Sequence, residues 1–346
     1  MRLPVDRGPL SALARHVLTS EPGSSQATEL APAAVTALRA TSDVLTDDDV
    51  QLTLFMLYEL HYRGFDGVDD RWEWDAGTLA ARGVLERALE SALRERVPVP
   101  DPVAPRRRAV ADALFAMTAP GPGPSVARYV WRKAEREQLV ELLVQRSLYQ
   151  LKEADPHTWA IPRLTGGAKA ALVEIQADEY GGGRADRMHS ALFARTMRGL
   201  GLDDTYGRYV DAVPAVTLAS LNAMSLFGLH RRLRGAIAGH LAAFEMTSSL
   251  PNRMYGDGFR RLGADLDTTW YFDEHVEADA VHEQIAGRDL AGGLAEQEPE
   301  LVADILFGAA ACLYLDDLVG AHLLGAWERG ESSLRAPVAP AAQGAA

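Results

Sequence analysis

The chain has very little cysteine and no long hydrophobic run. Among its 346 residues only Cys312 carries a thiol, so no internal disulfide can form and metal sites built from several thiolates are excluded. No apolar stretch approaches the roughly 20 residues that a bilayer-spanning helix needs. No apolar segment follows Arg2 and Arg7 as it would in a secretion signal. These absences predict a protein of the reducing cytoplasm with no membrane partner.

Positive charge is also scarce. The 35 Lys and Arg residues are outnumbered by 48 Asp and Glu residues, which gives a formal net charge of −13. Proteins that bind nucleic acid or anionic lipid present a basic face. The charge balance therefore predicts no nucleic-acid partner, while the hydrophobic fraction of 47% is that of an ordinary globular protein.

The alternating pattern of β-strands is missing, and helical spacing of apolar residues takes its place. Thr46, followed by three aspartates, is typical of a helix start, because a capping side chain and acidic groups both stabilise the positive end of the helix dipole. The sequence predicts an all-α bundle of long helices. These helices are predicted over residues 47–63, 77–93, 107–118, 125–153, 166–200, 214–250, 267–287 and 299–328.

Composition divides the chain into four predicted regions. Residues 1–45 are rich in Ala, Ser, Thr and Pro and predict a weakly ordered segment with one short helix near 31–40. Residues 46–120 form a predicted N-terminal helical extension that ends at a proline- and glycine-rich turn. Residues 121–332 form the predicted main helical domain, and 333–346 a disordered tail. The extension either completes the same bundle or forms a homodimer interface.

His275, Asp279 and His282 carry the clearest chemical signal. Positions i, i+4 and i+7 fall on one face of a helix, so two imidazoles and one carboxylate point the same way. This ligand set suits a non-heme iron that keeps open coordination positions. The alternative is an exposed polar helix face, which the neighbouring Glu274 and Glu277 favour.

Metal sites in bundles take ligands from facing helices, and two other segments offer them. His189 lies ten residues after Glu179 and three after Asp186. On an ideal helix Glu179 is rotated by roughly 80° from the His189 face, but the three glycines at 181–183 favour a kink that would correct this angle. Glu245 interrupts an apolar stretch, where an isolated carboxylate would be costly without a cation. The candidate metal ligands are Glu179, His189, Glu245, His275, Asp279 and His282, with Asp186 as an additional or alternative ligand.

These residues resemble the pattern of the heme-oxygenase-like diiron oxidases and oxygenases, a family of bacterial iron-containing redox enzymes. The resemblance covers most of 45–330, and its specific motifs lie within about 170–285. It implies a heme-oxygenase-like helical bundle, here with an N-terminal extension, that binds two ferrous irons directly and holds no heme. It also implies O2 activation for desaturation, N-oxygenation or C–C cleavage of a small amino-acid- or fatty-acid-like substrate. No flavin or iron–sulfur motif is present, so an external electron donor is expected.

Other interpretations stay open at this point. One is a non-catalytic helical protein that binds iron or a cofactor, or an interaction protein with exposed histidines. The pair Glu59 and His61 is predicted to be structural, because residues two apart do not share a helix face. The segment from Glu153 to His157 has ligand-type residues at a predicted helix end. It is interpreted as a helix-capping loop, with a supporting role beside the metal as the alternative.

Overall fold

The computed structural model describes residues 1–23 and 25–338, apart from the side chains of residues 279 and 280. All regular elements of these residues are helical. None of their helices combines the length and the apolar character needed to cross a bilayer. The α-helices are α1 (Pro9–Leu18), α2 (Leu30–Ala40), α3 (Asp48–Glu59), α4 (Ala76–Arg96), α5 (Arg107–Met117), α6 (Val126–Arg132), α7 (Arg136–Gln150), α8 (Asp155–Thr158), α9 (Gly166–Glu179), α10 (His189–Gly199), α11 (Ala215–Leu229), α12 (Arg234–Met246), α13 (Ser249–Arg261), α14 (Leu266–Gln284), α15 (Gly293–Gln297) and α16 (Val302–Glu328).

The N-terminal segment 1–45 is more ordered than its composition predicts. Helices α1 and α2 lie within it, and the apolar face of α1 is buried. The carboxylate of Asp49 in α3 accepts hydrogen bonds from the backbone N–H groups of Leu10 and Ser11, at 2.8 and 2.7 Å. Short helices gain most of their stability from tertiary packing, which composition does not reveal. The prediction of weak order was therefore wrong for the described part of this segment.

Helix α3 forms the centre of the N-terminal extension. Asp47 caps it by accepting from the N–H groups of Asp49 and Val50 at 3.0 and 2.9 Å. Every residue from Val50 to Glu59 is buried. The buried apolar residues of α3 join those of α11 and α16 in one connected core. This continuity favours the view that the extension completes the bundle.

The longest predicted helices are divided in the structure. The predicted helix 125–153 is split into α6 and α7, and 214–250 is split into α11 and α12 by a turn at 230–233. The kink expected at 181–183 within the predicted helix 166–200 is instead a complete interruption, since Gly181, Gly182 and Gly183 have φ values of 68°, 59° and 82°. These left-handed values are readily adopted only by glycine. The chain therefore ends α9 there and begins α10 at His189.

Two glycines bring α12 and α16 into close contact. A Cβ atom on Gly239 would lie 1.8 Å from the carbonyl oxygen of Ile305, and one on Gly308 would lie 1.9 Å from that of Ala236. Any larger residue would force the helices apart. This close crossing fixes the position of α12, which carries Glu245 and His240.

The beginning of the predicted tail is anchored. Ser333 is buried, and its hydroxyl donates to the Glu141 carboxylate at 2.7 Å. The guanidinium of Arg335 donates to Asp48 at 2.8 Å. The prediction of disorder is therefore wrong for 333–338, and 339–346 lie outside the described residues.

Candidate metal centre

Three imidazoles and three carboxylates converge inside the bundle. They form two groups that share Glu179, and within each group the potential ligand atoms lie within 4.8 Å of one another. All six side chains are buried. The first group contains Glu153, Glu179, His189 and His275, and the second contains Glu179, Glu245 and His282.

Glu179 is the last residue of α9 and is the ligand that both groups share. Its Oε2 lies 3.0 Å from Nδ1 of His189, and its Oε1 lies 3.9 Å from Nδ1 of His282. The glycine turn that follows brings the chain back on itself. A Cβ atom on Gly181 would lie 2.6 Å from the carbonyl carbon of Arg187. The rotation expected between Glu179 and His189 on a single helix is therefore removed by the chain reversal.

The ring orientation of His275 is set by its own helix. Its Nδ1 lies 2.7 Å from the carbonyl oxygen of Tyr271 and donates to it, because a carbonyl can only accept. The opposite nitrogen, Nε2, faces the cluster and lies 3.6 Å from Oε1 of Glu153. An outward N–H bond of this kind is the usual arrangement of a metal-binding histidine.

His282 is oriented in the opposite sense. Its Nε2 lies 3.0 Å from Oδ2 of Asp178, and its Nδ1 faces the cluster at 3.5 Å from Oε2 of Glu245. Two other carboxylates near the candidate ligands do not contact the imidazole rings: Glu274 accepts from the indole N–H of Trp270 at 3.0 Å, and Asp186 is exposed. A π-helix, Ile285–Gly292, begins three residues after His282, and such elements are frequent at functional sites.

Glu153 belongs to the first group, although the sequence indicated a capping loop at this position. Its Oε1 accepts from the Tyr271 hydroxyl at 2.8 Å, and its Oε2 has no hydrogen-bond partner among the described residues. Burial, followed by the Glu153 carboxylate, raises the pKa of Tyr271 well above its usual range, so the phenol stays protonated and donates. Glu153 lies in a turn, where no helical spacing could reveal its direction. The adjacent Asp155-Pro156-His157 was the only signal.

Asp186 and Asp279 were also predicted as metal ligands. Asp186 is exposed and contacts Arg184 at 3.3 Å, so the structure does not support its selection as an additional ligand. It lies in a short turn after the glycines, and its carboxylate points to solvent instead of following the helix face assumed from the sequence. Asp279 lies on α14, but its side chain is outside the described part of the structure.

Charge in the cluster is dominated by the carboxylates. Burial alone would raise the pKa of Glu179, but the three neighbouring imidazoles outweigh it and lower that pKa to about 2. Burial lowers the pKa of His282, but Glu245 outweighs it and the pKa rises to about 9. Glu179 likewise outweighs burial at His189 and raises its pKa. Without other cations, the imidazoles would hold protons to balance the buried carboxylates.

Iron fits this set of residues. Buried carboxylates need compensating positive charge, and imidazoles bind metals only when neutral. Metal cations would therefore replace the imidazolium protons as the compensating charge. Nitrogen and carboxylate oxygen donors suit iron or manganese. The buried Oε2 of Glu153, which has no protein donor, is available for such a cation.

A narrow cavity adjoins the cluster. The centre of a water-sized sphere can move within about 10 Å³ of this cavity, which is roughly the space that one water molecule needs. Glu153, Glu179 and His275 line one side, and the aromatic rings of Tyr149 and Phe244 line another. The space next to the candidate ligands therefore admits only a very small molecule in this conformation.

A second pair of buried histidines lies beside the same cavity. Nε2 of His157 is 3.2 Å from Nδ1 of His240, and the rings pack against Phe244. Burial lowers the pKa of His157 to about 4 and that of His240 well below its usual value. Both rings are therefore neutral near pH 7. The sequence does not indicate this pair, because the two residues lie 83 positions apart and no periodic pattern relates them.

Comparison with known proteins agrees with the geometry. Residues 140–317 match the model of a family described as iron-containing redox enzymes. A nitrosourea synthase from Streptomyces achromogenes subsp. streptozoticus is 30% identical over 188 residues, which are 52% of this chain and 40% of that protein. The family match spans more than half of the sequence and includes all the candidate ligands. The chain therefore belongs to the iron-containing redox enzymes, with their heme-oxygenase-like helical fold.

Proposed function

We propose that this protein is a non-heme diiron oxidase or oxygenase that uses O2 to oxidise a small amino-acid- or fatty-acid-like substrate. The observation that carries the proposal is the pair of buried ligand groups that share Glu179. Membership of an iron-containing redox family and the similarity to a nitrosourea synthase support iron-dependent oxidation. The electrons beyond those of the substrate would come from an external donor.

Each ligand group would hold one metal ion. Glu153, His189 and His275 would bind the first ion, and Glu245 and His282 the second. Glu179 would contribute to both, because its two oxygens face imidazoles of different groups. Asp279 remains a predicted ligand of the second ion from its spacing to His282. Sharing one carboxylate lowers the total charge that the protein must bury.

The residues around the ligands would hold them in place. Ferrous iron, when bound, supplies the electrons and open positions that activate dioxygen. Tyr271 fixes one oxygen of Glu153, and Asp178 fixes the ring of His282. The rings of Tyr149 and Phe244 line the cavity and would limit the water it can hold, which favours oxidation of substrate over side reactions.

Oxidation at nitrogen is the favoured outcome among the three that the resemblance implies. The relative is named for the synthesis of a nitrosourea, a product whose nitroso nitrogen requires N-oxidation. The match spans 40% of that protein, so its activity as a whole is not transferred to this chain. We propose N-oxygenation of the amine nitrogen of a small amino-acid-like substrate as the first reaction to screen.

The narrow cavity favours a second candidate, a non-catalytic iron- or cofactor-binding protein. Such a protein needs the same ligands but no room for substrate, and a space of about 10 Å³ fits that requirement. The two candidates differ in turnover. Both predict iron uptake, but only the enzyme predicts consumption of O2 with oxidation of an added substrate.

Anaerobic titration of the metal-free protein with Fe(II), followed by mixing with O2, tests the proposal. We expect close to two irons per chain and oxidation of the iron on exposure to O2. Glu179→Ala should abolish uptake at both positions. Glu174→Ala is the matched control, because Glu174 lies on the same helix and is exposed. A stoichiometry of one would refute the diiron centre, and unchanged uptake by Glu179→Ala would refute the ligand assignment.

A further inference from the structure

Two consecutive residues connect the candidate metal centre to the N-terminal extension. Lys152 and Glu153 have oppositely directed side chains. Lys152 donates to Oε2 of Glu59 at 3.0 Å, whereas Glu153 accepts from Tyr271 inside the ligand cluster. The side chains of Lys152 and Glu59 are 3% and 0% exposed. This ion pair is therefore buried and lies directly beside a candidate ligand.

The backbone reverses at the next residue. Ala154 has φ 75° and is the single non-glycine residue with positive φ in the part of the chain that the structure describes. Such a conformation is unfavourable for a residue with a Cβ atom and persists only where surrounding contacts impose it. One of these contacts comes from α9, where Gln176 donates to the carbonyl oxygen of Ala154 at 2.9 Å.

The two residues before Glu153 are contacted by the end of α3 and the residues after it, and Tyr206 supports the same contacts. The ammonium of Lys152 lies 3.8 Å from the ring centroid of Tyr62. Arg63 donates to the carbonyl oxygen of Leu151 at 3.1 Å. The hydroxyl of Tyr206 donates to the same oxygen of Glu59 that binds Lys152, at 2.7 Å. The strained turn is thus held from the side opposite to the ligand cluster.

The family match begins at residue 140, so Glu59, Tyr62 and Arg63 lie outside it. We propose that Glu59 is a positioning residue that, through Lys152, fixes the direction of Glu153, which makes the N-terminal extension a structural part of the metal centre. The inference rests on the proposed function, because it takes Glu153 as a ligand. A carboxylate in a turn has no helix to fix its direction, so the Glu59–Lys152 pair performs that task.

Binding of Co(II), a spectroscopic substitute for Fe(II), tests the role of Glu59. Glu59→Gln keeps the shape of the side chain and removes its charge. We expect Co(II) to bind more weakly by about tenfold or more at the position that includes Glu153, the range found when outer partners of ligands are lost. The visible Co(II) spectrum of that position should also change, whereas the other position keeps its affinity and spectrum.

The matched control is Glu86→Gln. Glu86 is also a buried carboxylate of the N-terminal helices, but it contacts Arg82 and His230 instead of residues next to the metal centre. We expect it to lower thermal stability without any change in Co(II) affinity or spectrum. An equal spectral change in Glu86→Gln would overturn the inference, because the effect would then follow from general destabilisation.

A double variant keeps the inference testable if Glu59→Gln does not fold. Glu59→Met with Lys152→Met removes both charges, a change that buried ion pairs often tolerate. We expect weakened Co(II) binding in a folded protein. Wild-type affinity and spectrum in this variant would overturn the positioning role. If Glu153→Ala itself left Co(II) binding unchanged, the ligand assignment under the proposed function would fail instead, which distinguishes the two failures.

Discussion

The protein buries two sets of histidines whose surroundings shift the pKa of the imidazole in opposite directions. His189 and His282 lie against Glu179 and Glu245, and these carboxylates raise the pKa of both imidazoles despite their burial. His157 and His240 lie against each other and against aromatic rings, and burial lowers their pKa values. The cavity beside the candidate metal centre is lined by His157 of the second set and by His275, whose ring packs against that of His189.

The difference shows that burial does not by itself make a histidine a metal ligand. In the first set, excess negative charge must be balanced, so protons or metal cations are drawn into the site. In the second set no charge has to be balanced, and a cation bound there would lose its hydration without gaining a carboxylate. A metal ion should therefore bind at the first set and not at the second.

The largest expected effect concerns metal uptake. His282→Ala should remove iron from the second position and reduce the stoichiometry from two to about one, because that group has a single imidazole. His240→Ala should retain both irons. The measurement is Fe(II) titration under anaerobic conditions, with thermal unfolding to verify that both variants are folded. Loss of iron in His240→Ala would show that the neutral pair takes part in binding and would break the comparison.

A smaller effect is expected in the pH dependence of stability. The pKa of His157 is about 4 when folded, against an ordinary value of 6.5 when unfolded. The unfolded state therefore binds more protons between these pH values, so the contribution is complete above pH 6.5 and is lost as the pH falls toward 4. The shift corresponds to about 3 kcal/mol, at roughly 1.4 kcal/mol per pKa unit.

Urea unfolding of the metal-free protein at several pH values between 7 and 4.5 measures this contribution. We compare the wild type with a His157→Phe, His240→Phe double variant, so that the titration of other groups cancels in the difference. The double variant should lose stability less steeply as the pH falls. Parallel curves for the two proteins would mean that the buried pair is protonated in the folded state, contrary to the comparison.

The site could be predicted from the sequence where its residues lie on one helix, and not where a turn or a helix crossing places them. His275 and His282 are on one helix, where spacing fixes their common direction, and the prediction placed both in the cluster. Glu179 was selected although ideal geometry opposed it, and the glycine turn supplied the correction. Glu153 and the His157–His240 pair were missed. Their positions depend on a turn and on helix crossings, which no periodic pattern encodes.

The fold was predictable to a similar extent. Helical periodicity gave the all-α class, and the Asp47 region gave the start of α3 within about one residue. Breaks inside long apolar segments were less predictable, as at 230–233, because tertiary contacts decide where a helix ends. Of the two N-terminal helices, α2 agrees with the helix predicted near residues 31–40, whereas α1 was missed because its stability comes from packing on α3.

The smallest expected effect concerns Asp178, the carboxylate that contacts His282 on the side away from the ligand cluster. Asp178→Asn keeps a hydrogen-bond acceptor near Nε2 of His282 but removes the charge that fixes the ring. We expect iron at the second position to bind about tenfold more weakly, with the first position unchanged. Asp186→Asn is the matched control, since Asp186 is exposed and contacts Arg184. Equal weakening in the two variants would indicate a long-range effect of surface charge. Weakening in Asp178→Asn alone would show that His282 depends on carboxylates at both ring nitrogens, whereas the neutral pair depends on none.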